Sequence, residues 1–87
     1  MARVFIPPTL RTLTNQIEVV DVEGPTVRDL IDWLDCEFPG IKSQLVQDDH
    51  LRRGWMIAVG TSVASAGLRE RVAPDSEVHF LPAIGGG

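Results

Sequence analysis

Three glycines in a row, Gly85, Gly86 and Gly87, close the 87-residue chain shortly after the apolar run Val78-His79-Phe80-Leu81-Pro82. Glycine has no Cβ, so such an end can pass through a narrow channel and bring its carboxylate close to a phosphorus atom. Extended from Pro82 to Gly87, it reaches roughly 17 Å, at about 3.3 Å per residue. The folded body could then dock outside a partner's active site while the Gly87 carboxylate reacts inside it. A carboxylate is a poor electrophile, so the partner must first convert it to an acyl-adenylate. The same glycines can also be read, without function, as a frayed end or a cloning remnant.

The other candidates for chemistry are weaker. Cys36 falls on the wet side of a helix between Asp35 and Glu37, and negative neighbours work against a thiolate nucleophile. His50 on a loop and His79 on a strand are far apart in sequence. Asp48 and Asp49 stand beside His50, but no spacing resembles a structural zinc motif, so no metal site is expected. Trp33 and Trp55 could stack on bases. Twelve acidic against eight basic side chains give a net charge of −4, however, which favours packing over nucleic-acid binding. The same balance argues against an anionic membrane surface. Asp29, Asp32, Asp35 and Glu37 read as a solvated helix face, with an electrostatic match to a basic partner as the sharper option. No nucleophile, base and orienting group converge, and no catalytic residue is expected.

The elements that would position the tail follow from punctuation and period. Apolar residues at 44% and charged residues at 23% describe one ordinary globular module. A lone cysteine excludes an internal disulfide and gives no sign of an oxidising compartment. No apolar run approaches the ~20 residues of a membrane span, and Met1-Ala2-Arg3 lacks the apolar stretch of a signal peptide. A cytoplasmic domain, monomeric in isolation, is the expectation. Strands are predicted at Val4-Phe5-Ile6, ended by Pro7-Pro8, and over Gln16 to Val22 after a Thr14-Asn15 turn. Further strands are predicted over Trp55 to Val59, around Val63 at an edge, and from Glu77 to Leu81. Thr26 is the predicted N-cap of a helix with the apolar stripe Val27, Leu30, Ile31, Leu34 and Phe38, stopped by Pro39-Gly40. Ile41 to Val46 reads as a tight helical turn and Gln47 to Gly54 as a polar loop.

One helix can cover one face of a small sheet, and it supplies the long crossover that parallel pairing of the first and last strands needs. This is an α+β plan, a β-grasp with a mixed sheet of four to five strands, though periodicity alone tolerates other α+β arrangements. Residues 1–82 form the domain and 83–87 a flexible glycine tail. Period two points Val4, Ile6, Trp55, Ile57, Val59, Val78 and Phe80 toward the helix. It leaves Phe5, Met56, Ala58, His79 and Leu81 on the outer face as a candidate docking surface, against the plainer reading of half-exposed strand residues.

The run from Val78 to Gly87 resembles the ending of the ubiquitin-like sulfur carriers. These include the small subunit of molybdopterin synthase, the thiamine-pathway carrier and the carrier of thiocarboxylate-dependent cysteine synthesis. Val4-Phe5-Ile6-Pro7-Pro8-Thr9-Leu10-Arg11 looks like the opening of the cysteine-synthesis type, and Pro74-Asp75-Ser76-Glu77-Val78 like the family's turn into its last strand. Gly85 stands where the family more often has alanine, and Gly60-Thr61 replaces a Val-Asn-type turn. The resemblance implies a β-grasp carrier that is not itself an enzyme and binds no cofactor. A ubiquitin-activating-type adenylyltransferase would use ATP and magnesium to adenylate Gly87. A persulfide or other sulfur donor would displace AMP and leave a thiocarboxylate. A sulfur-accepting synthase would then take the sulfur for cysteine, molybdopterin, thiamine or a secondary metabolite. Three other readings stand beside this one: a ubiquitin-like modifier joined through Gly87 to lysines, a small subunit whose tail inserts permanently into a molybdopterin-synthase-like partner, and a plain binding domain.

Overall fold

The computed structural model describes residues 1–82; the glycines at 85–87 lie outside the described residues. β1 (Ala2–Phe5) and β2 (Val19–Val22) pair antiparallel, with Ala2 opposite Val22 and Phe5 opposite Val19. α1 (Val27–Glu37) and the short α2 (Ile41–Leu45) follow. A small hairpin of β3 (Val46–Gln47) and β4 (His50–Leu51) leads into β5 (Trp55–Val59), β6 (Ser62–Val63) and β7 (Glu77–Pro82). The main sheet runs β2-β1-β7-β5-β6 and is antiparallel except where β1 and β7 lie parallel. This is a β-grasp, with a mixed five-stranded sheet and one main helix.

Helix α1 starts where the sequence places it. Thr26 is extended (φ −135°, ψ 164°), and its hydroxyl accepts a hydrogen bond from the Asp29 amide at 3.3 Å. The Asp29 carboxylate accepts from the Thr26 amide at 3.2 Å, closing a reciprocal cap with Asp in the position usually taken by Glu or Gln. Gly24, just before, is required by space: a Cβ there would sit 2.9 Å from the Asp29 Cβ. Val27, Leu30, Ile31 and Leu34 are buried in one core with Val4, Ile6, Ile57, Val78 and Phe80 from the sheet side. Trp55, Val59 and Phe38 are partly buried against the same core. The period-two assignment of inward strand residues therefore holds.

Several segments depart from the sequence expectation. β1 runs Ala2–Phe5, starting two residues before and ending one before the predicted Val4 to Ile6, while the Ile6 amide still bonds the Glu18 carbonyl at 2.8 Å. β2 begins at Val19 and not at Gln16, because Asn15 (φ 55°) and Gln16 (φ 67°) are left-handed and cannot continue a strand. The buried Thr14 locks that loop by donating its hydroxyl to the Ile17 carbonyl at 2.8 Å. The stretch read as a polar loop holds the β3–β4 hairpin. Its two turn residues, Asp48 and Asp49, both have positive φ (53° and 64°), the backbone that tight hairpin turns need. Arg28 of α1 reaches Asp49 at 3.0 Å, and this hydrogen bond holds the Asp49 carboxyl below the usual carboxylate range.

The acidic helix face is also more than a solvated surface. Asp29 caps α1, and Asp35 Oδ1 accepts from the Gly40 and Lys42 amides, each at 3.1 Å, so it serves the start of α2. Asp32 pairs with the Lys42 ammonium at 2.7 Å. Packing explains Trp55 but not Trp33, which is 38% exposed on α1. Replacing Thr26 by Ala is expected to lower unfolding free energy by about 1 kcal/mol, whereas Ser should keep most of it. Urea unfolding monitored by circular dichroism checks this, and equal midpoints for the Ala variant and the wild type would refute the cap's role.

Candidate functional site

Strand register assembles the outer face. Val19 of β2 lies opposite Phe5 of β1, Phe5 beside His79 of β7, His79 opposite Ala58 of β5, and Ala58 opposite Val63 of β6. Residues in register share a face, so these five side chains form one row across the entire sheet. Met56 and Leu81 oppose each other one step closer to the end of β7. Val19 (41%), Met56 (37%), Leu81 (42%) and Val63 (60%) keep much of their surface open. Phe5 and His79 are half-buried against one another, their rings stacked with centroids 4.1 Å apart and planes 9° apart. Ala58 is half-buried between its neighbours.

The opposite end of the same face is charged. Asp21, Arg3 and Glu77 form the next row in that direction, with Arg3 Nε 3.7 Å from Asp21 Oδ1. Both partners are well exposed, so the pair contributes little to stability. His79 Nε2 lies 3.4 Å from Glu77 Oε1, at the seam between the two zones. The apolar zone is thus the part of the face nearest the end of β7, where the chain continues into 83–87.

The structure therefore brings Phe5, Met56, Ala58, His79 and Leu81 onto one surface. Val19 and Val63 belong to it as well, and sequence reasoning left them out. The alternation in β2 put Val19 on a face, but only the register shows that it is the face of Phe5. Gly85, Gly86 and Gly87 lie outside the described residues.

The remaining candidates stay apart. Cys36 is exposed on α1. His50 sits in β4, beside an open groove of about 540 Å³ lined by Arg28, Asp49, Leu51 and Arg69 among others. Among the described residues, no group of three His, Cys, Asp or Glu side chains is placed to hold a metal ion. No described helix is long and apolar enough to cross a membrane.

Comparison with known proteins gives a consistent picture. The ThiS family model matches residues 4–87. The fold is similar to a chain of the Amycolatopsis orientalis BexX/CysO complex, with 34% identity, TM-score 0.91 and all of both chains covered. It is also similar to Mycobacterium tuberculosis CysO, described as an antigen, with 29% identity, TM-score 0.89, and 97% of this chain and 100% of that one covered. Small archaeal modifier protein 1 of Haloferax volcanii is 26% identical, with TM-score 0.71 and 99% and 98% of the two chains covered. No curated protein matches the chain. With a β-grasp fold and a family match that runs through the glycines, the chain belongs to the ThiS family, the ubiquitin-like sulfur carriers that its sequence resembles.

Proposed function

We propose that the chain acts as a sulfur carrier whose Gly87 carboxylate is activated by a partner and converted to a thiocarboxylate. The observation that carries this reading is the family match through the terminal glycines, on a chain whose last described strand ends beside an exposed apolar zone. A carboxylate oxygen of Gly87 attacks the α-phosphorus of ATP, and pyrophosphate leaves. A persulfide sulfur then attacks the acyl carbon and AMP departs. A thiol cleaves the sulfur–sulfur bond of the resulting acyl disulfide, leaving the thiocarboxylate to hand its sulfur to an accepting synthase. ATP and magnesium belong to the adenylyltransferase. The chain serves as co-substrate of its partners, not as an enzyme.

The apolar zone formed by Phe5, Met56, Ala58, His79 and Leu81 is the surface that holds the carrier on its partner while Gly85 and Gly86 extend into the active site. A second reading, a modifier joined through Gly87 to lysine amines, is favoured by the likeness to small archaeal modifier protein 1. Both readings use the same activation, and the fate of the activated end separates them.

The mass of the protein isolated from its host, with fragmentation, is expected to show one terminal oxygen replaced by sulfur at Gly87. Localisation matters because oxidation of Met1 or Met56 gives nearly the same mass. An isopeptide to a target lysine would favour the modifier, and an unmodified carboxylate after incubation with host extract and ATP would remove the carrier reading. Leu81→Ala with Met56→Ala should weaken binding to the adenylating partner by about tenfold or more, the cost of losing apolar anchors from an interface. Both side chains are exposed, so melting temperature should change little; undiminished affinity would exclude this face as the docking surface.

A further inference from the structure

A protein with an activated acyl end carries a hazard within its own sequence. Any unprotonated amine that reaches the acyl carbon can take the group. Arginine does not compete, because its guanidinium stays protonated in proteins. Seven of the eight basic residues of this chain are arginine, and one, Lys42, is lysine.

Lys42 is the second residue of α2, and its neighbours Ile41 and Leu45 are buried in the core shared with α1. It therefore lies on the helical side of the sheet, away from the outer row of Phe5, His79 and Ala58. A partner seated on that row leaves Lys42 uncovered, so any restraint on its amine must come from the chain itself. α1 supplies one. Lys42 Nζ donates to Asp32 Oδ1 at 2.7 Å, and the Lys42 backbone amide donates to Asp35 Oδ1 at 3.1 Å. Two carboxylates one turn apart on α1 thus hold both the backbone and the ammonium of the same residue.

We propose that Lys42 is the one side-chain amine on this chain open to acyl transfer, and that its ion pair with Asp32 slows its reaction with the activated ends of other copies. This rests on the carrier reading for its biological purpose. In the reaction that is suppressed, the ammonium first gives a proton to water. The free Nζ then adds to the acyl carbon, the acyl–oxygen bond to AMP breaks, and AMP leaves as the nitrogen gives a second proton to water and the amide forms. The Asp32 hydrogen bond and charge act on the first of these steps by favouring the protonated amine. They raise the Lys42 amine above its ordinary value; the Asp35 charge adds to the effect, while slight burial and the Arg28 charge oppose it.

The test uses the full chain with acetyl phosphate as acyl donor at mildly alkaline pH, with acetylation mapped to Lys42 and to the Met1 α-amine. In Asp32→Asn the Lys42 rate should rise about two- to fivefold, the size an exposed ion pair provides, while the Met1 rate stays the same. Salt near 1 M, where the screening length falls to about 3 Å, should move wild type toward the variant. Equal Lys42 rates in the two proteins at low salt would overturn the proposal. A single lysine also yields a single side-chain resonance after ¹³C-lysine labelling. That resonance should titrate at lower pH in Asp32→Asn, and coincident titrations would overturn the proposal independently. Because acetyl phosphate supplies the acyl group, both outcomes can be read whether or not Gly87 is ever activated.

Discussion

The structure depends on the parallel pairing of β1 with β7. Arg3, Val4 and Phe5 lie beside Glu77, Val78 and His79, joining strands whose sequence positions are separated by most of the chain. No tight turn can connect parallel neighbours, so everything between them acts as the connection. The pairing extends beyond the strands: the Arg3 amide bonds the Ser76 carbonyl at 2.8 Å, and the Asp75 amide bonds the Met1 carbonyl at 2.9 Å. Val4 and Val78 meet in register with no exposed surface, beneath the stripe that α1 buries. Without this contact β2 and β5 would have no common sheet, and α1 would have no floor.

The same register that builds the core builds the outer surface, because alternate residues of one strand serve opposite faces. Val4 and Val78 point in, while Phe5 and His79, one position on, point out and stack. Every strand of the main sheet contributes one residue to the outer row, from Val19 to Val63. The zone is apolar toward the end of β7 and charged toward its start, so the face has a direction as well as a composition. A contiguous apolar surface is what the proposed docking role requires. Its position beside the last described strand is what ties it to the glycine end.

Charge in α1 is used locally. Asp29 closes the helix start, Asp35 supplies a side-chain acceptor to the start of α2, where Gly40 has none to offer, and Asp32 pairs with Lys42. Three residues that a linear reading groups as one acidic face thus do three different things. The net charge of −4 describes the chain's surface in sum but hides this division. What distinguishes the three aspartates is the turn of chain that each meets.

Much of this protein is legible in one dimension. The Thr26 cap, the stripe from Val27 to Leu34, the inward set of each strand and the glycine motif all rest on contacts or periods spanning a few residues. Propensity and side-chain alternation act at that range. Backbone handedness and register do not. The left-handed Asn15 and Gln16 that shorten β2, and the Asp48–Asp49 turn that makes a hairpin of an apparent loop, are choices any polar stretch leaves open. They are settled here by what the neighbouring chain needs, such as the Thr14 hydroxyl on the Ile17 carbonyl. Likewise, no local signal places Val19 or Val63 beside Phe5 and Ala58, or Asp32 against the one lysine. Sequence by itself determined which side of each element is apolar and where the glycine run stands. Only the tertiary structure decided which elements lie side by side, because pairing between distant segments is selected by the packing of the entire core and not by any residue's own preference.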